Sequence, residues 1–237
     1  AGLMNTTTAN VNWWIKRFNS SGTENTTNWN LTFDAGLFDA WGNAYITLAL
    51  DSQRNLYVVG NRNTSGSNFD WWIKKIDLTG AEDTANWNKT MDSGVAGNDI
   101  AYSVAVDSNS DVYIVGDSRI NGVDWWIKKF NSSGTEDIAN WNKTFGTSRS
   151  DEALSVALDS SRDVYVVGTI AKNSTNLDWW IKKFNSSGTE DTANWNKTFD
   201  IGGSKVCYTT IYRALFLFAV NNNFNSAGGY FSITKPF

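Results

Sequence analysis

Three kinds of side chain in this sequence could carry chemistry: asparagines in Asn-x-Ser/Thr triplets, aspartates spaced across short turns, and tandem tryptophans. The triplets are acceptors for N-linked glycans, and they begin at Asn5, Asn19, Asn25, Asn30, Asn63, Asn88, Asn131, Asn142, Asn173, Asn185 and Asn196. Asn131 and Asn185 fall in Asn-Ser-Ser-Gly-Thr loops, while Asn88, Asn142 and Asn196 fall in Asn-Lys-Thr runs expected to lie outermost. A glycan there would stand in solvent and block edge-to-edge pairing. Asn19, Asn88, Asn131, Asn142, Asn173, Asn185 and Asn196 are therefore the candidate glycosylation sites, against the plainer reading of a polar surface.

Asp107 and Asp111, Asp159 and Asp163, and Asp51 at the matching turn could offer oxygens to Ca2+, but they lack the dense Asp-x-Asp-x-Asp-Gly order of a dedicated calcium loop. Turn bracing is the better expectation, and no metal set is assigned. The tryptophans could stack on sugar rings if exposed, or hold a core if buried. Acid–base catalysis has little visible support. There is no histidine, no paired-carboxylate motif, no phosphate loop and no nucleophile elbow, so neither catalytic residues nor cofactors are expected. Asp and Glu at strand ends could meet over a central channel, but repeated units imply equivalent groups rather than one differentiated site.

Whole-chain properties narrow the classes further. The 237 residues carry a formal charge of -4 with acids and bases interspersed, which leaves no basic stripe for nucleic acid or anionic lipid. A single cysteine, Cys207, precludes an internal disulfide and reads as an apolar strand residue. The longest apolar run, Ala214 to Val220, is far below the ~20 residues of a membrane helix, so no membrane insertion is expected.

What positions these groups is a repeat. Asp124-Trp125-Trp126-Ile127-Lys128-Lys129-Phe130 returns as Asp178-Trp179-Trp180-Ile181-Lys182-Lys183-Phe184, and Trp71, Trp125 and Trp179 follow one another at intervals of 54 residues. Each unit holds four strand-like runs separated by turn residues. Run A is Ser103–Val106, with Thr47–Leu50 and Ser155–Leu158 as copies; run B is Val112–Gly116, with copies at Leu56–Gly60 and Val164–Gly168. Run C is Trp-Trp-Ile-Lys-Lys, starting at Trp13, Trp71, Trp125 and Trp179, and run D is Asn140–Phe145, with counterparts at Asn28, Asn86 and Asn194. Twelve of the 13 tryptophans occupy run C or D, leaving Trp41 outside. If blades pack on both faces, Trp125 and Ile127 face one neighbour while Trp126 and Phe130 face the other.

Four antiparallel strands at this spacing resemble a β-propeller blade. The A–B hairpin, with small-apolar alternation, Asp, a polar turn and then Val-Tyr-x-Val-Gly, is similar to bacterial and archaeal propeller repeats of the NHL-like and seven-bladed-propeller types. The resemblance covers Asn12 to Asp200 and speaks to fold, not activity. It implies one all-β propeller domain over residues 1–237, with a half blade at 12–34, units at 44–91, 100–145 and 153–200, and a degenerate partial blade at 205–237. Gly2 precedes Trp13 as Gly168 precedes Trp179, so the order is C and D, three ABCD units, then A, B and a degenerate C near Tyr230-Phe231. Two closures are open: four blades, one shared by N- and C-terminal strands, or a segment of a larger propeller.

The resulting expectation is a non-enzymatic extracellular or cell-surface scaffold, structural or adhesive, glycosylated and capable of polymer assembly through copies of itself or neighbouring repeats. The alternative is a carbohydrate-binding, lectin-like propeller.

Overall fold

The computed structural model describes residues 1–7, 10–34, 46–65, 68–120, 122–174, 176–200, 206–212, 215–221 and 230–233, with side chains described only for Ala1 and within 12–200. Trp41 lies outside the described residues, as do the side chains of Asn5, Cys207 and the degenerate C-terminal unit.

The protein is all-β, built of antiparallel blades in a propeller-type arrangement. In chain order the strands are β1 (Gly2–Thr7), β2 (Asn10–Lys16), β3 (Asn30–Phe33), β4 (Thr47–Leu50), β5 (Leu56–Ser65), β6 (Asn68–Ile76), β7 (Lys89–Met91), β8 (Ile100–Val106), β9 (Val112–Ser118) and β10 (Asp124–Phe130). A single helical turn, α1 (Ile138–Trp141), precedes β11 (Lys143–Phe145), β12 (Glu152–Leu158), β13 (Val164–Asn173), β14 (Asn176–Phe184) and β15 (Lys197–Asp200). Strands β16 (Val206–Tyr212), β17 (Leu215–Asn221) and β18 (Tyr230–Ile233) follow. Three complete blades, β4–β7, β8–β11 and β12–β15, each run in sequence order from strand A to strand D. The degenerate runs do form strands, β16 to β18, in the expected order.

Terminal strands do not share a blade. Among the described residues β1-β2-β3 and β16-β17-β18 are separate three-stranded sheets, in place of the expected sheet completed by both ends. Strands β4, β8, β12 and β16 are consecutive neighbours, which makes strand A the innermost and sets the sheets around a common axis.

Burial follows from stacking. Every residue of β9 is buried, which requires cover on both faces because alternate side chains point opposite ways. One core joins Trp71, Ile73 and Trp87 to Val112, Ile114, Trp126 and Phe130 of the next blade. The following core joins Trp125, Ile127 and Trp141 to Val164, Val166, Trp180 and Phe184. Trp125 and Trp126 thus face opposite blades, as their alternation predicts. Indole stacking repeats at each junction: Trp13–Trp72, Trp71–Trp126 and Trp125–Trp180 have ring centroids 4.7, 4.8 and 4.9 Å apart. Trp71 and Trp125 also donate Nε1–H across the junction to the carbonyls of Asp117 and Thr169, at 3.1 and 2.8 Å.

The start of run D departs from expectation in every unit, since Asn28-Trp29, Asn86-Trp87, Asn140-Trp141 and Asn194-Trp195 all precede their strand. Asn140 and Trp141 belong to α1 rather than to strand D, because the Asp137 carboxylate accepts the Asn140 N–H and caps a helical turn. That turn carries Trp141 inward to a fully buried site.

Candidate functional site

In each antiparallel blade the A–B and C–D connections emerge at one end and the B–C and D–A connections at the other. The repeated chemistry of the first end is structural. Asp51, Asp107 and Asp159 each accept backbone N–H groups two and four residues on and a hydroxyl from Tyr57, Tyr113 or Tyr165. These aspartates brace the hairpin, in line with the sequence reading. Burial, chiefly, pushes the Tyr113 phenol up to about 12.

The glycosylation candidates divide by role, and all seven are exposed: Asn19, Asn88, Asn131, Asn142, Asn173, Asn185 and Asn196. Asn19, Asn131 and Asn185 use Oδ1 to accept the N–H groups two and four residues on. Asp77 does the same in the remaining unit, so the position demands a side-chain acceptor, which Asn and Asp both supply. Asn88, Asn142 and Asn196 accept the Nε1–H of Trp72, Trp126 and Trp180. Asn173 sits at the end of β13.

The opposite end carries what the repeat does not share. The residue after Val-Tyr-x-Val-Gly is Asn61 in one blade, Asp117 in the next and Thr169 in the third, and the first residue of strand A is Ile100 in β8 but Glu152 in β12. Asp117 closes β9, opposite Ile100 and Trp125 in the ladder, while Glu152 opens the inner strand of the adjoining blade. Asp117 is 3% exposed; its carboxyl accepts the Ile100 N–H at 2.9 Å and the Tyr102 hydroxyl at 3.0 Å. Burial, opposed by the Ile100 hydrogen bond and reinforced by the nearby Glu152 charge, lifts it to about 7. Burial and then the charge of Asp151 also raise Glu152. Glu152 is only half-buried. Two carboxyls with raised affinity for protons thus lie in adjoining blades, one of them only half-buried.

At the same end, on the outer strands β10 and β11 and the loop that follows them, a cleft of about 400 Å3 is lined by Asp124, Thr144, Gly146, Thr147 and Ser148. A Cβ on Gly146 would meet Asp124 Oδ1 at 2.1 Å and Asp151 Oδ2 at 2.8 Å, so glycine lets the two carboxylates close against the backbone here. In the preceding blade Asp92 stands at the corresponding position, and Asp70, Asp92 and Asp99 each place a carboxylate oxygen within 4.8 Å of the others. These three could hold a cation, but Asp70 accepts from Thr64 and Asn68, and Asp99 accepts from Ser93 and Arg119. Asp92 is exposed and accepts the Gly94 N–H, so hydrogen bonds account for all three as a brace between loops.

No family model and no curated protein matches the chain. Solved structures do. A periplasmic gluconolactonase from Pseudomonas aeruginosa is similar over 98% of this chain and 66% of its own, at 9% identity and a TM-score of 0.51. A polysaccharide lyase is similar over 96% of this chain and 53% of its own (9% identity, TM-score 0.49). A GH43 endo-arabinanase from Bacillus licheniformis is similar over 98% and 91% (8%, 0.45). The chain therefore spans about two thirds of the lactonase and about half of the lyase. The likeness is one of fold, and the neighbour at a TM-score of 0.51 is an enzyme, a lactonase.

The expectation of a non-enzymatic scaffold is corrected on this finding. Its premise was that repeated blades hold only equivalent groups, and Asp117 with Glu152 breaks that equivalence. Sugar stacking on the strand C indoles of the three complete blades has no basis either, since Trp71, Trp72, Trp125, Trp126, Trp179 and Trp180 are at most 9% exposed. Neither carboxylate stands out by motif. Both stand out when the units are superposed and their differences read instead of their identities.

Proposed function

We propose that this protein is a carbohydrate-active enzyme that cleaves glycosidic bonds by carboxyl acid–base chemistry at the axial end of its blades. One feature carries the reading: the Asp117 carboxyl, found in a single blade and 3% exposed, is pushed up to about 7 by burial and further by the charge of the half-buried Glu152. Breaking a glycosidic bond requires proton delivery to the leaving oxygen, and a carboxyl with a raised pKa supplies it near neutrality. Glu152 is the catalytic residue: it gives its proton to the leaving oxygen as the anomeric C–O bond breaks, water adds to the anomeric carbon, and the proton that this water releases returns to Glu152. Asp117 is a positioning residue: staying neutral, it avoids a second negative charge against Glu152. Similarity in fold to a gluconolactonase, a protein named for a sugar lactone, is consistent with a carbohydrate substrate.

The finer resemblance to NHL-like repeats rests on the Val-Tyr-x-Val-Gly strands and belongs to this reading. So does action outside the cell, with N-glycans on the exposed asparagines; intact-mass measurement on native material would show added hexose if those sites are occupied.

The test is product release from a panel of soluble polysaccharides, read by mass spectrometry. Wild type is expected to release oligosaccharides. Glu152→Gln should lose at least about 100-fold in rate, the scale of general acid–base catalysis, and Asp117→Asn should shift the pH profile while leaving KM near its original value. Products formed equally by wild type and Glu152→Gln, or no products from any substrate, would refute the assignment.

A further inference from the structure

Three repeated lysines of strand C are buried beside the two groups that could turn them into nucleophiles. Lys74, Lys128 and Lys182 are 2–3% exposed, and each ammonium lies 4.2–4.3 Å over Trp72, Trp126 or Trp180 of its own blade. Phe33 and Phe145 of the preceding blade cover Lys74 and Lys182 from the other side, at 4.4 and 4.2 Å. Eight residues on, Glu82, Glu136 and Glu190 turn back to the end of strand C through bridges to Ile76, Phe130 and Phe184 and pair with the lysines.

Fourteen residues on, Asn88, Asn142 and Asn196 place Oδ1 at 3.3, 3.1 and 3.4 Å from the same Nζ. That oxygen also accepts the indole N–H of Trp72, Trp126 or Trp180 at 2.9, 3.0 and 2.7 Å. Two donors on one atom fix which end of the amide points inward, leaving Nδ2 to the solvent side of an exposed residue. Burial lowers the proton affinity of all three lysines against the opposing pull of their glutamates, which favours the neutral, nucleophilic amine. In this ion-paired form Cγ is at most about 1.2 Å beyond Oδ1, so in the tightest triad a shift of about 1 Å brings Nζ within the roughly 3–3.5 Å of an attacking pair.

We propose that these triads close into intramolecular isopeptide bonds, joining Lys74 to Asn88, Lys128 to Asn142 and Lys182 to Asn196. The glutamate takes one proton from the ammonium, and the neutral Nζ adds to Cγ. Charge developing on Oδ1 is met by the indole N–H already aimed at it. The glutamate passes its proton to Nδ2, the Cγ–Nδ2 bond breaks, and the surplus proton on Nζ goes to the departing ammonia, which leaves as ammonium. Each bond fastens the outermost strand, which only three or four ladder pairs hold to strand C. It also consumes the nitrogen that an N-glycan on the same asparagine would need. Lys16 reaches Glu24 in the first unit, but its side chain is 25% exposed, and hydration keeps it charged, so no bond is expected there. The inference is independent of Asp117 and Glu152.

Intact-mass spectrometry under denaturing conditions, on protein made in a host that adds no N-glycans, tests this. Wild type is expected to be lighter than its sequence by the mass of one ammonia per bond, about 51 Da for three. Lys128→Arg keeps the charge but not the nucleophile, and Glu136→Gln removes the proton carrier; each should lack two ammonias instead of three, with unchanged tryptophan emission to show that it folds. A protease digest of wild type should contain a branched peptide joining Lys128 to Asn142. An asparagine that cyclises on its own backbone loses the same mass, but it forms no branch and does not depend on Lys128. A wild type at its full sequence mass, a digest without the branch, or a third loss that persists in either variant would overturn the proposal.

Discussion

Asp117 joins the site's chemistry to stability, and the sign follows from its raised pKa. Between the ordinary aspartate value and about 7, the folded chain holds a proton that the unfolded chain has released, so stability falls as pH rises through that window. The upper bound is on the order of 4 kcal/mol, with Arg119 and Tyr102 offsetting part of the penalty. Asp117→Asn should therefore melt at nearly constant temperature from pH 5 to 8 while wild type declines, checked by calorimetry; parallel curves would exclude the buried acid. A second buried charge behaves differently. Lys128, 3% exposed, is paired with Glu136 and Asn142 and lies 4.2 Å over Trp126. Lys128→Met leaves Glu136, itself partly exposed, without its cation. Denaturant unfolding should show a loss of about 1–2 kcal/mol, below the value for a fully buried pair.

At the scale of elements, the strand C tryptophans and the loop glycines do separate work. Trp125→Ala removes a fully buried indole stacked 4.9 Å from Trp180 and should cost about 3–5 kcal/mol in urea unfolding. Gly134→Ala and Gly22→Ala both force a left-handed residue, costing about 1 kcal/mol each. Only Gly134→Ala also drives a methyl into the Asn86 carbonyl. Its melting temperature should drop clearly further than that of Gly22→Ala, and equal drops would show that the loops do not lock the blades. Much of this was legible beforehand. Period-2 runs, the Asp-bounded hairpins and the Trp125/Trp126 alternation placed strands and core, because repetition copies packing faithfully. Trp141 was misplaced because the cap at Asp137 outweighs the strand-like run around it. Asp117 and Glu152 were passed over because copies were compared for what they share, whereas proton affinity arises from burial and neighbours that only the folded arrangement supplies.

Across the whole molecule, similar blades make a rigid frame with one end braced by equivalent aspartates and the other end diversified. The frame accounts for stability through blade-to-blade cores, which frees single positions at strand ends to differ without loss of packing. That division explains how a repetitive sequence can hold one differentiated acid pair. Infrared difference spectroscopy of wild type against Asp117→Asn, titrated from pH 4 to 9, tests this most directly, since it reads the protonated carboxyl itself. The expected result is a buried C=O stretch that persists to about pH 7 and is absent in the variant. A carboxylate already fully ionised at pH 5 would contradict the acid pair and, with it, the chemistry assigned to this end of the blades.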